Sequence, residues 1–207
     1  AGPGQLLPEP AEHPAVADGG GDLHGLPPAA AAVAFEGDEV WVVAPDREQS
    51  ASSHAISLHR PLRLFEVAPR RFAVDGTPTD AVYMGLNHVL KGARPDVVVS
   101  GVNHGPNLAN DVLYSGTVSA AIEGAFFGVT SVAVSLEWDE KARYDIAAQL
   151  AVPIISQILA QKGPEPQLYN LNIPLAALSR PAEVCVTPMC IAPWGESYER
   201  RDDPRHR

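Results

Sequence analysis

The 207 residues carry a formal net charge of −10, and 45% of the side chains are apolar. That length suits one α/β domain with a sizeable core, and the acidic balance excludes a binding face for long nucleic acids, which needs clustered Lys and Arg. No apolar run approaches the roughly 18–20 residues of a membrane helix, no basic-then-apolar leader opens the chain, and Cys185 and Cys190 are too few for a disulfide scaffold, which points to a reducing, cytoplasmic setting.

Residues 1–34 mix Pro, Gly and Ala with little periodicity. Residues 1–14 read as disordered Pro-rich coil, and Ala29–Phe35 as a short helix. "EVWVVAPD" (39–46) is a buried strand closed by a Pro turn. The polar loop "REQSASSH" then leads to an alternating strand ending in "LRLFEV". "RRFAVDGTPTDAVYMGLNHVL" gives a strand, a tight turn and a helix, capped by Thr79 or Asp80, with Val82, Leu86, Val89 and Leu90 on its apolar face. In that turn Gly76 supplies a special backbone angle and Pro78 adds stiffness. "PDVVVSG" has the β-branched core of a parallel strand covered on both faces. A helix over 115–127 follows, then the buried strand "TSVAVSLE". "YDIAAQLAVPIISQILAQKG" is a helix with Ile146, Leu150, Ile154 and Ile158 on one face and a kink at Pro153. "LYNLNIP" and "AEVCVTP" are later strands, and the tail is polar and charged.

Strands alternate with helices, which predicts an α/β fold: a mostly parallel, doubly wound sheet with helices on both faces, in a single domain over 1–207. Ligands of such sheets bind beyond the carboxyl ends of the strands. The polar loops 46–54, 76–80 and 100–117 all follow strands and should converge there.

Three of these stretches carry candidate chemistry. In "YSGTVSAA", Ser115, Gly116 and Thr117 put unpaired N–H groups, two hydroxyls and the positive end of a helix dipole at one point, an arrangement that binds phosphate. The same residues also serve as an ordinary N-cap. Asn103, Gly105, Asn107 and Asn110 crowd just upstream, and an amide oxygen is a hard metal ligand. In "APDREQSASSH", the Ser50 hydroxyl suits a divalent-metal shell or a solvated loop, and His54 suits a structural place better than an acid's. "ADGGGDLHG" (17–25) offers Asp18 and Asp22 in a flexible Gly frame, without the spacing of a dinucleotide fingerprint. No G-x-S-x-G elbow, Walker loop or Cys/His zinc spacing is present.

Together, "EVWVVAPDREQSASSHAISLHRPLR", "DGTPTDAVYMGLN", "PDVVVSGVNHGPNLANDVLYSGTVSAAIEG" and "LNIP" closely resemble the SurE family, the survival protein E 5'-nucleotidases, from about Gly37 onward. The resemblance implies a Rossmann-like core and a phosphatase dependent on a divalent metal ion such as Mg²⁺ or Mn²⁺. Such an enzyme hydrolyses nucleoside 5'-monophosphates to nucleoside and inorganic phosphate. It implies Asp18, Ser50 and Asn103 as metal ligands and catalytic residues, and Ser115, Gly116, Thr117 and Asn107 as the phosphate side. The family's metal turn is N-D-D-G; aligning Gly25-Leu26 on the family's Gly-Leu puts Ala17, Asp18, Gly19 and Gly20 there, so one carboxylate remains. Pro27 and Pro28 fall in what is a helix's first turn in the family. The family packs as homodimers or tetramers through a C-terminal arm, and this sequence stops at "RRDDPRHR", before that arm. A catalytically impaired nucleotide- or phosphate-binding protein on the same scaffold is the alternative these departures imply.

Overall fold

The computed structural model describes residues 15–18 and 39–191. Seven strands in it form one sheet: β1 (Ala15–Asp18), β2 (Val40–Pro45), β3 (Leu64–Ala68), β4 (Arg71–Val74), β5 (Val97–His104), β6 (Ser131–Leu136) and β7 (Leu168–Ile173). Their spatial order is β3-β4-β2-β1-β5-β6-β7, and every neighbouring pair is parallel except β3–β4. The helices are α1 (Pro78–Met84), which widens into one looser turn over Gly85–Val89, then α2 (Asp111–Tyr114), α3 (Gly116–Phe126) and α4 (Tyr144–Gln161).

Side-chain alternation on the central strands builds two packed layers. Val97 and Val99 of β5 and Val132, Val134 and Leu136 of β6 face α4, meeting Ala147, Ala151 and Ile155. Val98, between them, meets Val82 and Leu86 of the α1 region and Ala120 of α3, and Ala133 meets Val118 and Ala121 of α3. Strands buried on both faces read as nearly continuous apolar runs, and all of β6 is buried, with only the small Ser131 and Ser135 interrupting its apolar residues. This is the doubly wound, Rossmann-like α/β architecture expected from the strand–helix alternation.

Four local expectations change. Thr77, not Thr79 or Asp80, caps α1: its hydroxyl accepts from Asp80 N, and the Asp80 carboxylate accepts from Thr77 N, a reciprocal capping box. Pro78 at the first helical position fits, because that N–H has no intrahelical partner to lose. Gly76 is required by close approach rather than by a special angle: a Cβ there would lie 2.7 Å from Asp80 Cβ and 2.9 Å from Leu62 Cδ2. The buried stripe of α4 is Ala147, Ala148, Ala151 and Ile155, and the larger Ile146, Leu150, Ile154 and Ile158 are half-buried along its flanks. Small residues let the helix sit close on the sheet, so the large-residue periodicity marks the edges of the contact. The helix runs on through Pro153, which is exposed.

Finally, "AEVCVTP" forms no strand; Val184 and Val186 are 62% and 99% exposed, and no neighbouring strand among the described residues supplies a ladder. The expected coil over 1–14, the helix over 29–35, Asp22 and the charged tail lie outside the described residues. Among the described residues, no helix is long and apolar enough to cross a membrane.

Candidate functional site

β1 runs between β2 and β5, at the point where the strand order reverses. Such a reversal opens a crevice at the carboxyl edge of a parallel sheet. The register sets Asp18, the last residue of β1, opposite Ser100 of β5. Beyond this edge lies a cavity of about 270 Å³ lined from three segments: Ser50 after β2, Pro78 at the start of α1, and, from the end of β5 to the start of α3, Asn103, Asn107, Ser115, Gly116 and Thr117.

The α3 start forms one wall. The Ser115 hydroxyl accepts from Val118 N (3.1 Å), and the Ser115 carbonyl accepts from the N–H and hydroxyl of Ser119. The N–H groups of Gly116 and Thr117 form no hydrogen bond among the described residues, as expected for the first turn of a helix. Both residues are buried in the cavity wall. At Gly116 a Cβ would sit 2.6 Å from Ser52 Oγ and 2.9 Å from Pro78 Cγ, so three loops meet there only because the residue is glycine. Buried Ser52 Oγ, Thr79 Oγ1 and Ser100 Oγ have no partner among the described residues.

Asn103 joins that wall to the opposite side. Its Oδ1 accepts from the Thr117 hydroxyl (3.1 Å), and its Nδ2 donates to the Gly105 carbonyl (2.8 Å). The Ser50 hydroxyl donates to Glu48 Oε1 (2.6 Å) in an exposed loop. Each of these two oxygens keeps a lone pair for a further contact. Asp18 lies at the same sheet edge by register, opposite Ser100, and the β5–β6 register is irregular between Ser100 and Asn103. Among the described residues no three His, Cys, Asp or Glu side chains gather to hold a metal ion, so what Ser50 and Asn103 could offer a hard divalent cation here is neutral oxygen.

Asn107 has a different environment from the other candidates. Its N–H donates to Asn172 Oδ1 (2.8 Å), and its carbonyl accepts from Asn170 Nδ2 (2.8 Å) and Asn172 Nδ2 (3.2 Å). Its own Nδ2 donates to Ser135 Oγ (2.7 Å). The loop is thus clamped to β6 and β7, and one side-chain N–H of Asn107 remains for a ligand. His54 stands outside the cavity lining, paired with Glu123 (2.8 Å) and stacked on Phe126, where it ties the β2 loop to α3. Ser53 adds a second tie, its N–H and hydroxyl donating to the carbonyls of Tyr114 and Leu113. Ala51, Ser53 and Ala109, in these loops, have φ of 55°, 53° and 49°. Side chains with a Cβ disfavour that region, so the braces hold strained backbone in place.

The sequence reading missed Arg47, Glu48, His104, Asp111 and Tyr114, which also line the cavity. Arg47 and Glu48 lie inside the stretch singled out as "APDREQSASSH". Charged loop residues are ordinarily solvated, and only the placement of the strand ends shows which face the crevice.

Known proteins share this sequence and this fold. The family model described as "Survival protein SurE" matches residues 16–196. A protein of Anaeromyxobacter sp. (strain Fw109-5) named 5'-nucleotidase SurE is 72% identical over 145 residues, which are 70% of this chain and 57% of that protein. One of the same name from Myxococcus xanthus (strain DK1622) is 50% identical over 169 residues, 82% of this chain and 64% of the relative. The crystal structure of the SurE protein from Aquifex aeolicus matches with a TM-score of 0.72 at 35% identity, covering 78% of this chain and 66% of that one. This chain therefore spans about three-fifths of the length of those curated relatives. On the matched span and the shared fold, the chain belongs to the survival protein SurE family.

Proposed function

We propose that the chain hydrolyses nucleoside 5'-monophosphates to nucleoside and inorganic phosphate with the help of a divalent metal ion. The observation that carries this reading is the convergence of Ser50, Asn103 and the Ser115–Thr117 helix start on one polar cavity at the strand reversal. The names of its relatives support the substrate class. Its two exposed cysteines fit work in the cytoplasm.

The N–H groups of Gly116 and Thr117, at the positive end of α3, hold two phosphoryl oxygens. They are fixed before substrate arrives, so they stabilise growing negative charge without reorganising. The Ser115 hydroxyl, which accepts from Val118 N and keeps its own proton, adds a donor, and the remaining Asn107 amide N–H closes the third side. Asp18, Ser50 and Asn103 would hold the cation, which would supply charge neutralisation and activation of water. Asn103 serves both halves, because its Oδ1 also orients the Thr117 hydroxyl. Phosphate release from AMP should appear with Mg²⁺ or Mn²⁺ and vanish with EDTA; full release in EDTA would defeat the assignment.

A second reading has its own support. Only one carboxylate stands in the 17–20 stretch, at Asp18, whereas the N–H groups of α3 need no metal. A phosphate-binding protein without turnover is therefore the runner-up. Calorimetric binding of AMP in EDTA, with no phosphate release at saturating Mn²⁺, would select it.

A further inference from the structure

His104 is the last residue of β5 and lines the cavity. Its parallel register places it beside Leu136, the last residue of β6, so Trp138 follows just beyond the same sheet edge. The two rings stack with centroids 5.7 Å apart and an interplanar angle of 2°. Tyr144 meets His104 edge-on at 5.9 Å and 88°. His104 Nε2 lies 3.0 Å from the Asp139 carbonyl. A carbonyl only accepts, so Nε2 carries the proton and the ring plane is set.

The pair is thus locked on one side while Trp138 remains 59% exposed. The phosphate reading uses none of these rings. His104 lines the polar cavity of about 270 Å³ and Trp138 stacks on it, so a flat aromatic pair adjoins the cavity and suits a second flat ring joined to a phosphate through a sugar. Base–aromatic stacking is worth roughly 1–3 kcal/mol by alanine substitution and tolerates any base, with the larger ring gaining more contact.

We propose that the stacked His104–Trp138 pair is the nucleobase platform of this cavity and that it favours purine over pyrimidine monophosphates. The proposal rests on the phosphate being held at the α3 start, as in the reading above.

The test compares AMP, CMP and ribose 5-phosphate, which share a phosphate and differ in the base. Calorimetry on the full chain with Mn²⁺ should give AMP the highest affinity and ribose 5-phosphate the lowest. Trp138→Ala should shrink the AMP to ribose 5-phosphate ratio about tenfold, and Trp138→Phe should restore most of it. Should Trp138→Ala melt below the assay temperature, Trp138→Leu reads the same ratio, since it keeps apolar bulk without a π face. Equal binding of all three probes by the unaltered protein, or an unchanged ratio in the variants, overturns the platform. A base-dependent affinity gap that collapses in Trp138→Ala, with no phosphate released from any probe, keeps the platform and removes the nucleotidase reading instead.

Discussion

On one side of the cavity, Ser115 caps and Gly116 and Thr117 open an eleven-residue helix packed on β5 and β6, and their donors are largely main-chain N–H groups. On the other side, the oxygens are those of side chains, Ser50 in an exposed loop and Asn103 at the end of β5. The first half is made by the fold itself; no substitution removes a backbone N–H short of proline. The second half depends on particular side chains, and a hard cation gains its affinity from how many of them are anionic. The same architecture can therefore keep phosphate binding while metal binding weakens.

The largest effect should come from breaking the helix side. Gly116→Val places a branched side chain where even a Cβ would lie 2.6 Å from Ser52 Oγ and 2.9 Å from Pro78 Cγ. Either α3 or the β2 loop must move, and the two open N–H groups lose their aim. Phosphate release should fall about a hundredfold, the scale of losing one fixed oxyanion donor. The overpacking should also cost about 1–3 kcal/mol of stability, visible as a lower melting temperature. AMP binding in EDTA should fall with it, since this half works without metal. If binding and release survive, the helix start is an ordinary cap.

A smaller gain sharpens the other half. With Gly25-Leu26 aligned on the Gly-Leu of the SurE pattern, Ala17, Asp18, Gly19 and Gly20 stand against N-D-D-G, so Gly19→Asp would supply the second carboxylate of that pattern. The Mn²⁺ concentration for half-maximal phosphate release should drop about tenfold, the lower end of what a metal-site partner contributes. Gly19→Asn, which adds bulk without charge, should not reproduce it. AMP affinity in EDTA should stay unchanged in both variants, because the helix side is untouched. An equal response of Asp and Asn would show that charge at this position does not govern the metal.

Much of this was legible in the sequence, for reasons that differ between regions. Val97–Val99 and Ser131–Leu136 are buried on both faces, so composition alone marks them as central parallel strands. The convergence of the 46–54 and 100–117 loops also followed, because strand direction sets which loops share an edge. Contacts between distant segments were not legible. The Ser53 ties to Leu113 and Tyr114 span 60 or more residues, and nothing local to Ser53 announces them. The clamp on Asn107 is set by Asn170 and Asn172, which read locally only as polar residues of a late strand. His104 was passed over inside "GVNHGPN" because its ring partner, Trp138, lies just past the end of the neighbouring strand. α4 misled in another way: its Ala seat is quieter in a hydrophobic pattern than its Ile and Leu flanks.

The smallest effect concerns what holds the helix side in position. Asp75 begins the turn that carries Pro78 onto Gly116. Its carboxylate accepts from Arg63 N (2.7 Å) and pairs with Arg60 (3.0 Å), and the Arg60 guanidinium also donates to the Asp75 carbonyl. The Arg63 N–H is the main cause holding the Asp75 carboxyl below its ordinary range; burial works against it and the Arg60 charge assists. A depressed pKa in the folded protein means stability that is complete above the unfolded value of about 3.9 and is lost as pH falls through the lower folded value. Asp75→Asn keeps an acceptor for Arg63 N but removes the charge. At pH 7 it should cost about 1 kcal/mol, the partly exposed Arg60 pairing being screened by water, and lower the melting point by about 2–4 °C. Between pH 7 and 5 the gap between variant and parent should be constant. Below about pH 4 it should close, as the parent carboxyl takes up its proton and loses the advantage that the asparagine never had. A gap that persists undiminished to pH 2 would mean that the geometry of the turn, rather than the Asp75 charge, holds Pro78 against Gly116.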